Sequence, residues 1–335
     1  MAYHGLKILV TGADGFIGSH LTEMLVRHGA EVTALACYSS FDMQGWLDDL
    51  PREVLDAVRV VRGDVRDAAF IRHLVQGQDI VFHLAALIAI PYSYVAAQSY
   101  VETNVLGTLN VLEAARGSTV RRVIQTSTSE VYGSAITMPI TEDHPLQGQS
   151  PYSASKIGSD MMAESFARSF ALPVSILRPF NTFGPRQSER AVIPTVLRQL
   201  LDPSCSVIRV GDVSTVRDFT FVTDTAAAFL AIGTAPGIVA GRAYNAGTGT
   251  AVSVGDLIAL AEEIVGCSKP VEQDADRMRP ASSEVRALLA DSSRLTAATG
   301  WQPGTALREG LTLTAAWWRG RLGAGRVRVA HGFMI

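Results

Sequence analysis

The chain predicts an α/β fold: a Rossmann-type doubly wound parallel sheet covered by helices, followed by a smaller C-terminal α/β lobe. Three observations predict it. Strand-like apolar runs alternate with amphipathic helical patterns as far as residue 177. A glycine triplet sits where the first run meets the first helix. After Arg178 the alternation breaks into short helices, brief strands and Pro/Gly turns.

The first run, residues 8–10, leads through Gly12, Ala13 and Asp14 into Gly15-Phe16-Ile17-Gly18 and a helical pattern over 15–28. Glycines at this spacing allow a tight turn, close approach of the backbone to a pyrophosphate, and packing of the helix on its strand. The helix N-terminus then offers N–H groups to the phosphates. A second run at 32–36 supplies the context that a bare glycine triplet lacks. Dinucleotide sites usually place an acid after this strand for the adenosine ribose. Ala36, Cys37 and Tyr38 stand there instead, with no arginine to meet a 2′-phosphate. NAD is the expected cofactor, with NADP left open.

Further runs at 58–61, 80–84, 123–126 and 174–177 alternate with helical patterns at 68–76, 100–116 and 152–170. Ligands of such sheets bind at the carboxyl ends of the strands. Gly12, Ala85-Ala86, Ser127-Thr128 and Pro179-Phe180-Asn181 lie at those ends, so distant motifs converge on one edge. The expected division is a Rossmann-type domain at 1–178, to which some later segments return, and a substrate lobe at 179–319. Short helices are expected in that lobe at 193–200, 223–232, 254–265 and 307–317, and a frayed Gly/Arg-rich tail at 320–335.

Bulk properties exclude several classes. With 335 residues, 47% hydrophobic and 18% charged, the chain has ample core and is not disordered. A net charge of −3 carries no nucleic-acid footprint. Cys37, Cys205 and Cys267 are scattered, without metal or disulfide spacing, so a cytoplasmic location is the default. Strand residues begin by Leu6, which leaves no room for a signal peptide. The most apolar segment, 80–90, contains His83 and is too short to span a bilayer.

The chemistry is carried by Thr126-Ser127-Thr128-Ser129-Glu130-Val131-Tyr132-Gly133 and Pro151-Tyr152-Ser153-Ala154-Ser155-Lys156. On a helix, Tyr152 and Lys156 share one face, one turn apart. A neighbouring ammonium favours a phenolate, so the pair can act as a base near neutrality. Thr128 offers a hydroxyl to a substrate oxygen. Glu130 adds a carboxylate, which suggests a second proton transfer, at carbon.

In these motifs, with His83-Leu84-Ala85-Ala86, Asn104 and Arg178-Pro179-Phe180-Asn181 in order, the chain resembles the extended short-chain dehydrogenase/reductases that modify nucleotide sugars. The resemblance spans residues 5–318. It is most similar to the 4,6-dehydratases, especially those acting on nucleotide-linked N-acetylglucosamine toward legionaminic-type sugars. Residues 87–94 and 145–152 carry that closer match. The resemblance implies that Asp64 and Val65 flank the adenine and that Leu84, Ala85 and Ala86 line the cofactor's ribose and phosphates. It further implies that Lys156 bonds the nicotinamide ribose and that Asn104 lies near the active site. Thr128, Ser129, Glu130, Tyr152 and Lys156 would be catalytic. Ser129 stands where many relatives carry an acidic Asp, which leaves open the group that protonates the departing water. Asn181, Arg217 and Arg279 would hold the nucleotide diphosphate, and Ile88, in an apolar loop, the sugar. His83 reads as a packed core histidine.

Three reactions share transient oxidation at C4. A dehydratase, a glucuronate decarboxylase and a 4-epimerase all remain as readings, and a cofactor-bound regulatory protein without catalysis is a fourth. The resemblance also implies a homodimer in which helices 100–116 and 152–170 pair with their copies. Val101, Val105, Leu109, Leu112, Met161, Met162 and Phe166 supply apolar residues on more than one face of these helices.

Overall fold

The computed structural model describes residues 2–327. The first six strands are β1 (Lys7–Thr11), β2 (Glu31–Cys37), β3 (Val58–Gly63), β4 (Ile80–His83), β5 (Arg122–Thr126) and β6 (Val174–Pro179). In the second half lie β7 (Asn181–Phe183), β8 (Ile208–Val210), β9 (Val216–Phe221), β10 (Ala243–Ala246), β11 (Ala251–Ser253) and β12 (Val271–Gln273). The central sheet has seven strands in the order β10-β6-β5-β4-β1-β2-β3, every pairing parallel. Both its faces are covered, so β1 is apolar from Ile8 to Val10. Ile8 and Val10 enter one core with Leu21, Leu25 and Phe229, while Leu9 enters the other with Ile71, Val111 and Phe166.

The chain crosses between lobes more than once. Helix Val222–Thr234 packs on the same core as the glycine-motif helix Phe16–Arg27, and β10 joins the sheet beside β6. Four residues between turns are too few to show a strand period, which is why the seventh strand escaped the sequence. Around a third core built on Leu197, Phe221, Leu257 and Trp318, the C-terminal lobe forms a three-stranded sheet, β11-β9-β7, and a two-stranded one, β12-β8.

Two expectations change in detail. The predicted helix at 100–116 is a succession: Ala97–Tyr100, a π-helical stretch Val101–Leu106, then Gly107–Arg116. The last helix runs Leu307–Gly323, so the expected frayed tail begins inside a helix, and residues 328–335 lie outside the described residues. No described helix is long and apolar enough to cross a membrane.

Candidate active site

The glycine motif builds a cradle at the carboxyl end of β1. Gly12 has φ +66°, and a Cβ on it would lie 2.7 Å from the Ala85 nitrogen. A Cβ on Gly18 would lie 2.1 Å from the Gly12 oxygen, so only glycine lets the helix close on the turn. Helix Phe16–Arg27 starts at Gly15 without a side-chain cap, which leaves its first N–H groups to an anion. The Asp14 carboxylate accepts from Cys37 N at 3.1 Å, which places an acid beside the carboxyl end of β2, where the strand has none of its own. Burial pushes the Asp14 carboxyl above its usual range.

After β4, Thr11 Oγ1 accepts from Leu84 N at 3.1 Å and Ala85 N at 3.2 Å, pinning the strip Leu84-Ala85-Ala86 against the cradle. Asn104 is fully buried. Its amide accepts from Leu87 N and donates to Leu87 O and Ser155 Oγ, so it holds this loop rather than offering a free group to a ligand. Asp64 is gripped by Arg66, which holds its carboxyl below the usual range, and lines a cleft of about 510 Å³ with Arg66, Asp67, Glu102 and Leu106. Val65 is buried against Gly107. The backbone cradle, uncapped helix end and adjacent cleft fit a dinucleotide. His83, bonded to Thr11 and Thr108, is a core histidine as expected.

The catalytic candidates meet at the end of β5. Thr128 caps the short turn Ser129–Tyr132, accepting from Glu130 N at 3.2 Å. A capping box of Ser150 and Ser153, with Pro151 at the first helical position, starts helix Pro151–Phe170 and so fixes Tyr152 in its first turn. Tyr152 comes close enough to Thr128 and Glu130 for both to shift the proton affinity of its hydroxyl. Ser129 is buried. Lys156, also buried, donates to Thr126 O at 2.5 Å.

One electrostatic expectation fails in the chain alone. Burial drives the Tyr152 hydroxyl well above its ordinary value; Thr128 lowers it, whereas Glu130, Tyr100 and Asp160 raise it further. The Lys156 ammonium is committed to the Thr126 carbonyl, and its own pKa falls to about 8 through burial. A usable phenolate therefore needs additional positive charge beside Tyr152.

The arginines expected at a diphosphate stand close to Glu130. Arg279 Nη1 lies 3.5 Å from both Glu130 oxygens. Arg217, on β9, donates to Val216 O at 3.0 Å and Glu284 at 3.2 Å, and senses both Glu130 and Arg279. Asn181, on β7, has a buried Oδ1 without a partner among the described residues, as a ligand-binding amide would. Ile88 is 62% exposed on the loop after β4.

Sequence reasoning missed three features here. Asp160 and Arg178 form a buried pair behind Lys156, although Asp160 was visible at helical spacing four residues past it. Arg186, at φ +68°, reaches Glu23 of the glycine-motif helix at 2.7 Å. Arg321 packs over the rings of both Trp46 and Trp317, which meet edge to face, and pairs with Asp49. Nothing in local sequence pairs residues so far apart.

Residues 9–314 match the family model described as GDP-mannose 4,6 dehydratase. A dTDP-glucose 4,6-dehydratase of Streptomyces griseus is 37% identical over 322 residues, 93% of each chain. A UDP-glucose 4-epimerase of Mycolicibacterium smegmatis is 33% identical over 322 residues, covering 94% of this chain and 99% of its own. The solved dTDP-glucose 4,6-dehydratase of Streptomyces venezuelae, with NAD bound, superimposes with a TM-score of 0.83 at 30% identity, covering 95% of this chain and 98% of that one.

Proposed function

Because the chain belongs to the GDP-mannose 4,6-dehydratase family and is an NAD-dependent nucleotide-sugar dehydratase, we propose that it converts a nucleoside-diphosphate N-acetylglucosamine to the 4-keto-6-deoxy sugar. The observation that carries the reading is the meeting of Thr128, Glu130 and Tyr152 at one strand end. NAD, held by the Gly12–Gly18 cradle and Lys156, would supply the reversible acceptor for the hydride that leaves C4 and ends at C6. The chain's own residues move the protons. Thr128 orients the sugar O4, and Tyr152 takes its proton. Lys156, one turn on, holds the nicotinamide ribose and keeps positive charge near the phenol.

Oxidation at C4 acidifies the C5 proton. Glu130 removes it, and the C6 hydroxyl departs as water across C5–C6. As hydride reaches C6, a proton equivalent to the one Tyr152 took from O4 returns to C5, which closes the balance as substrate minus water. Ser129 is buried and carries no acid, so Glu130, freshly protonated, also protonates the leaving hydroxyl in this reading. Asn181, Arg217 and Arg279 hold the nucleotide diphosphate, the planar guanidinium forks matching its oxygens. Ile88 presents an apolar surface suited to an acetamido methyl, where a carboxylate would need a charged partner.

Two helices with exposed apolar residues support a homodimer, and three free cysteines support a cytoplasmic location. A second reading, 4-epimerisation, draws on the full-length epimerase relative, but it leaves Glu130 without a task. A glucuronate decarboxylase would retain Glu130, and a non-catalytic role would leave the intact set unused. Incubation of the purified protein with UDP-, GDP- and dTDP-sugars, read by mass spectrometry, decides among these. Loss of water from an N-acetylglucosamine nucleotide is expected. Loss of carbon dioxide from a glucuronate nucleotide, or an isomer of unchanged mass alone, would refute the dehydratase reading.

A further inference from the structure

One turn beyond Lys156, helix Pro151–Phe170 carries a carboxylate that the proton transfers do not use. Asp160 is fully buried. Its Oδ2 accepts from Arg178 Nε at 3.1 Å, Arg178 Nη2 at 3.0 Å and the Ser127 hydroxyl at 2.8 Å. Its Oδ1 has no hydrogen-bond partner among the described residues. Arg178 Nη1 donates to the Tyr132 hydroxyl at 3.0 Å, which donates in turn to Asn245 Oδ1 at 2.6 Å. Ser127 precedes Thr128, and Tyr132 ends the turn that Thr128 begins. One buried network thus grips the catalytic segment at both ends.

A buried ion pair is a weak device for stability, because desolvation offsets its attraction and apolar side chains of similar volume serve as well. The arrangement of charge beside Lys156 gives it another use. The titratable and charged groups around Lys156 are Tyr152 and Asp160 on its own helix, His83 on β4, and Arg178 on β6 behind Asp160. His83 is kept neutral by burial and by Lys156. Asp160 is the one carboxyl group among these, and it opposes the fall in Lys156's proton affinity that burial causes.

We infer that Asp160, held by Arg178 and Ser127, is a positioning residue that keeps Lys156 protonated and fixes the strand end presenting Thr128. The inference rests on the roles proposed above for Tyr152 and Lys156.

The chain has three lysines, Lys7, Lys156 and Lys269, so NMR of isotope-labelled lysine reads Lys156 directly, without turnover. Asp160→Asn should lower its proton affinity about tenfold or more, because two buried cations lose their shared anion. Arg178→Gln should raise it, because Asp160 then faces Lys156 without competition. A purely structural network would depress the melting temperature of both variants and leave the Lys156 titration in place, which would overturn the inference.

Ser127→Ala keeps every charge and decides the matter where a charge variant does not fold. It should lower kcat several-fold, with KM unchanged, on the nucleotide sugar dehydrated in the screen above; a wild-type kcat would overturn the inference. Tyr152→Phe separates the two levels. If that variant is fully active, the proposed roles fail and the inference fails with them. If it is inactive while Asp160→Asn leaves Lys156 unmoved, the inference fails alone.

Discussion

Glu130 is the residue on which the proposed chemistry turns, and it separates the two half-reactions. Glu130→Gln leaves Thr128, Tyr152 and Lys156 to support oxidation at C4, while removal of the C5 proton loses a base typically worth about 10²–10⁴ in rate. A single turnover should show nicotinamide absorbance rising with little dehydrated product. Tyr152→Phe should abolish both signals. Dehydration by Glu130→Gln at the wild-type rate would make Glu130 structural. Two histidines give a separate, pH-dependent signature. Burial lowers His83 to about 3, and burial with Arg186 lowers His20 to about 4. Both then bind fewer protons folded than unfolded below the ordinary value near 6.5, so their contribution to stability is complete above that pH. It is lost as pH falls from about 6.5 toward 4, by up to about 1.4 kcal/mol per pH unit for each group. Urea midpoints measured across that range should fall, and His20→Gln should flatten the slope.

At the scale of elements, the two helices that flank the site face both inward and outward. Leu112 and Phe166 belong to the core beside the central sheet, with Leu109 and Met162 packed partly against it. Val101, Leu106 and Met161 remain 50%, 47% and 42% exposed, more apolar surface than a lone helix pair needs. The predicted homodimer would bury these side chains through a two-fold contact of the helices with their copies. Light scattering should report a dimer at micromolar concentration, and Leu106→Glu with Met161→Glu should shift it to monomer. A wild-type monomer would contradict the assignment. The π-helical stretch Val101–Leu106 lies on this surface and also contains Asn104, whose amide holds Leu87, so the helix surface and the cofactor loop share one element. Such widened turns are common at functional sites.

Across the whole molecule, the second lobe braces the cofactor cradle from two sides. Trp46 N donates to Asp14 O at 2.9 Å, within the glycine motif, and its ring shares Arg321 with Trp317. Arg186 and Pro185 reach Glu23 and His20 on the helix that follows the motif. A catalyst that returns its hydride gains from keeping its nicotinamide between turnovers. Arg321→Ala should therefore destabilise the fold by about 1 kcal/mol, the scale of a partly buried cation–π contact, and should release NAD faster on gel filtration. The intact enzyme should turn over without net NADH. Stoichiometric NADH accumulation would refute the internal hydride relay.

The local features were legible from the chain alone because each depends on neighbours in sequence. The glycine spacing announces Gly12, Gly15 and Gly18, helical spacing pairs Tyr152 with Lys156, and apolar runs mark the first six strands. Their alternation also implies the parallel sheet, and the strand-end rule then collects the motifs at one edge. What stayed hidden depends on contacts across long separations. β10 takes its place beside β6 through hydrogen bonds between residues more than 60 positions apart, as the register of Ala243 with Ile176 shows. Arg279 reaches Glu130 across 149 residues, and Arg321 reaches Asp49 across 272. The Tyr152–Lys156 pair is the clearest case. Sequence spacing puts the two groups together, but burial, Glu130 and Asp160 set their proton affinities, because desolvation and nearby charge exist only once the chain has closed around them.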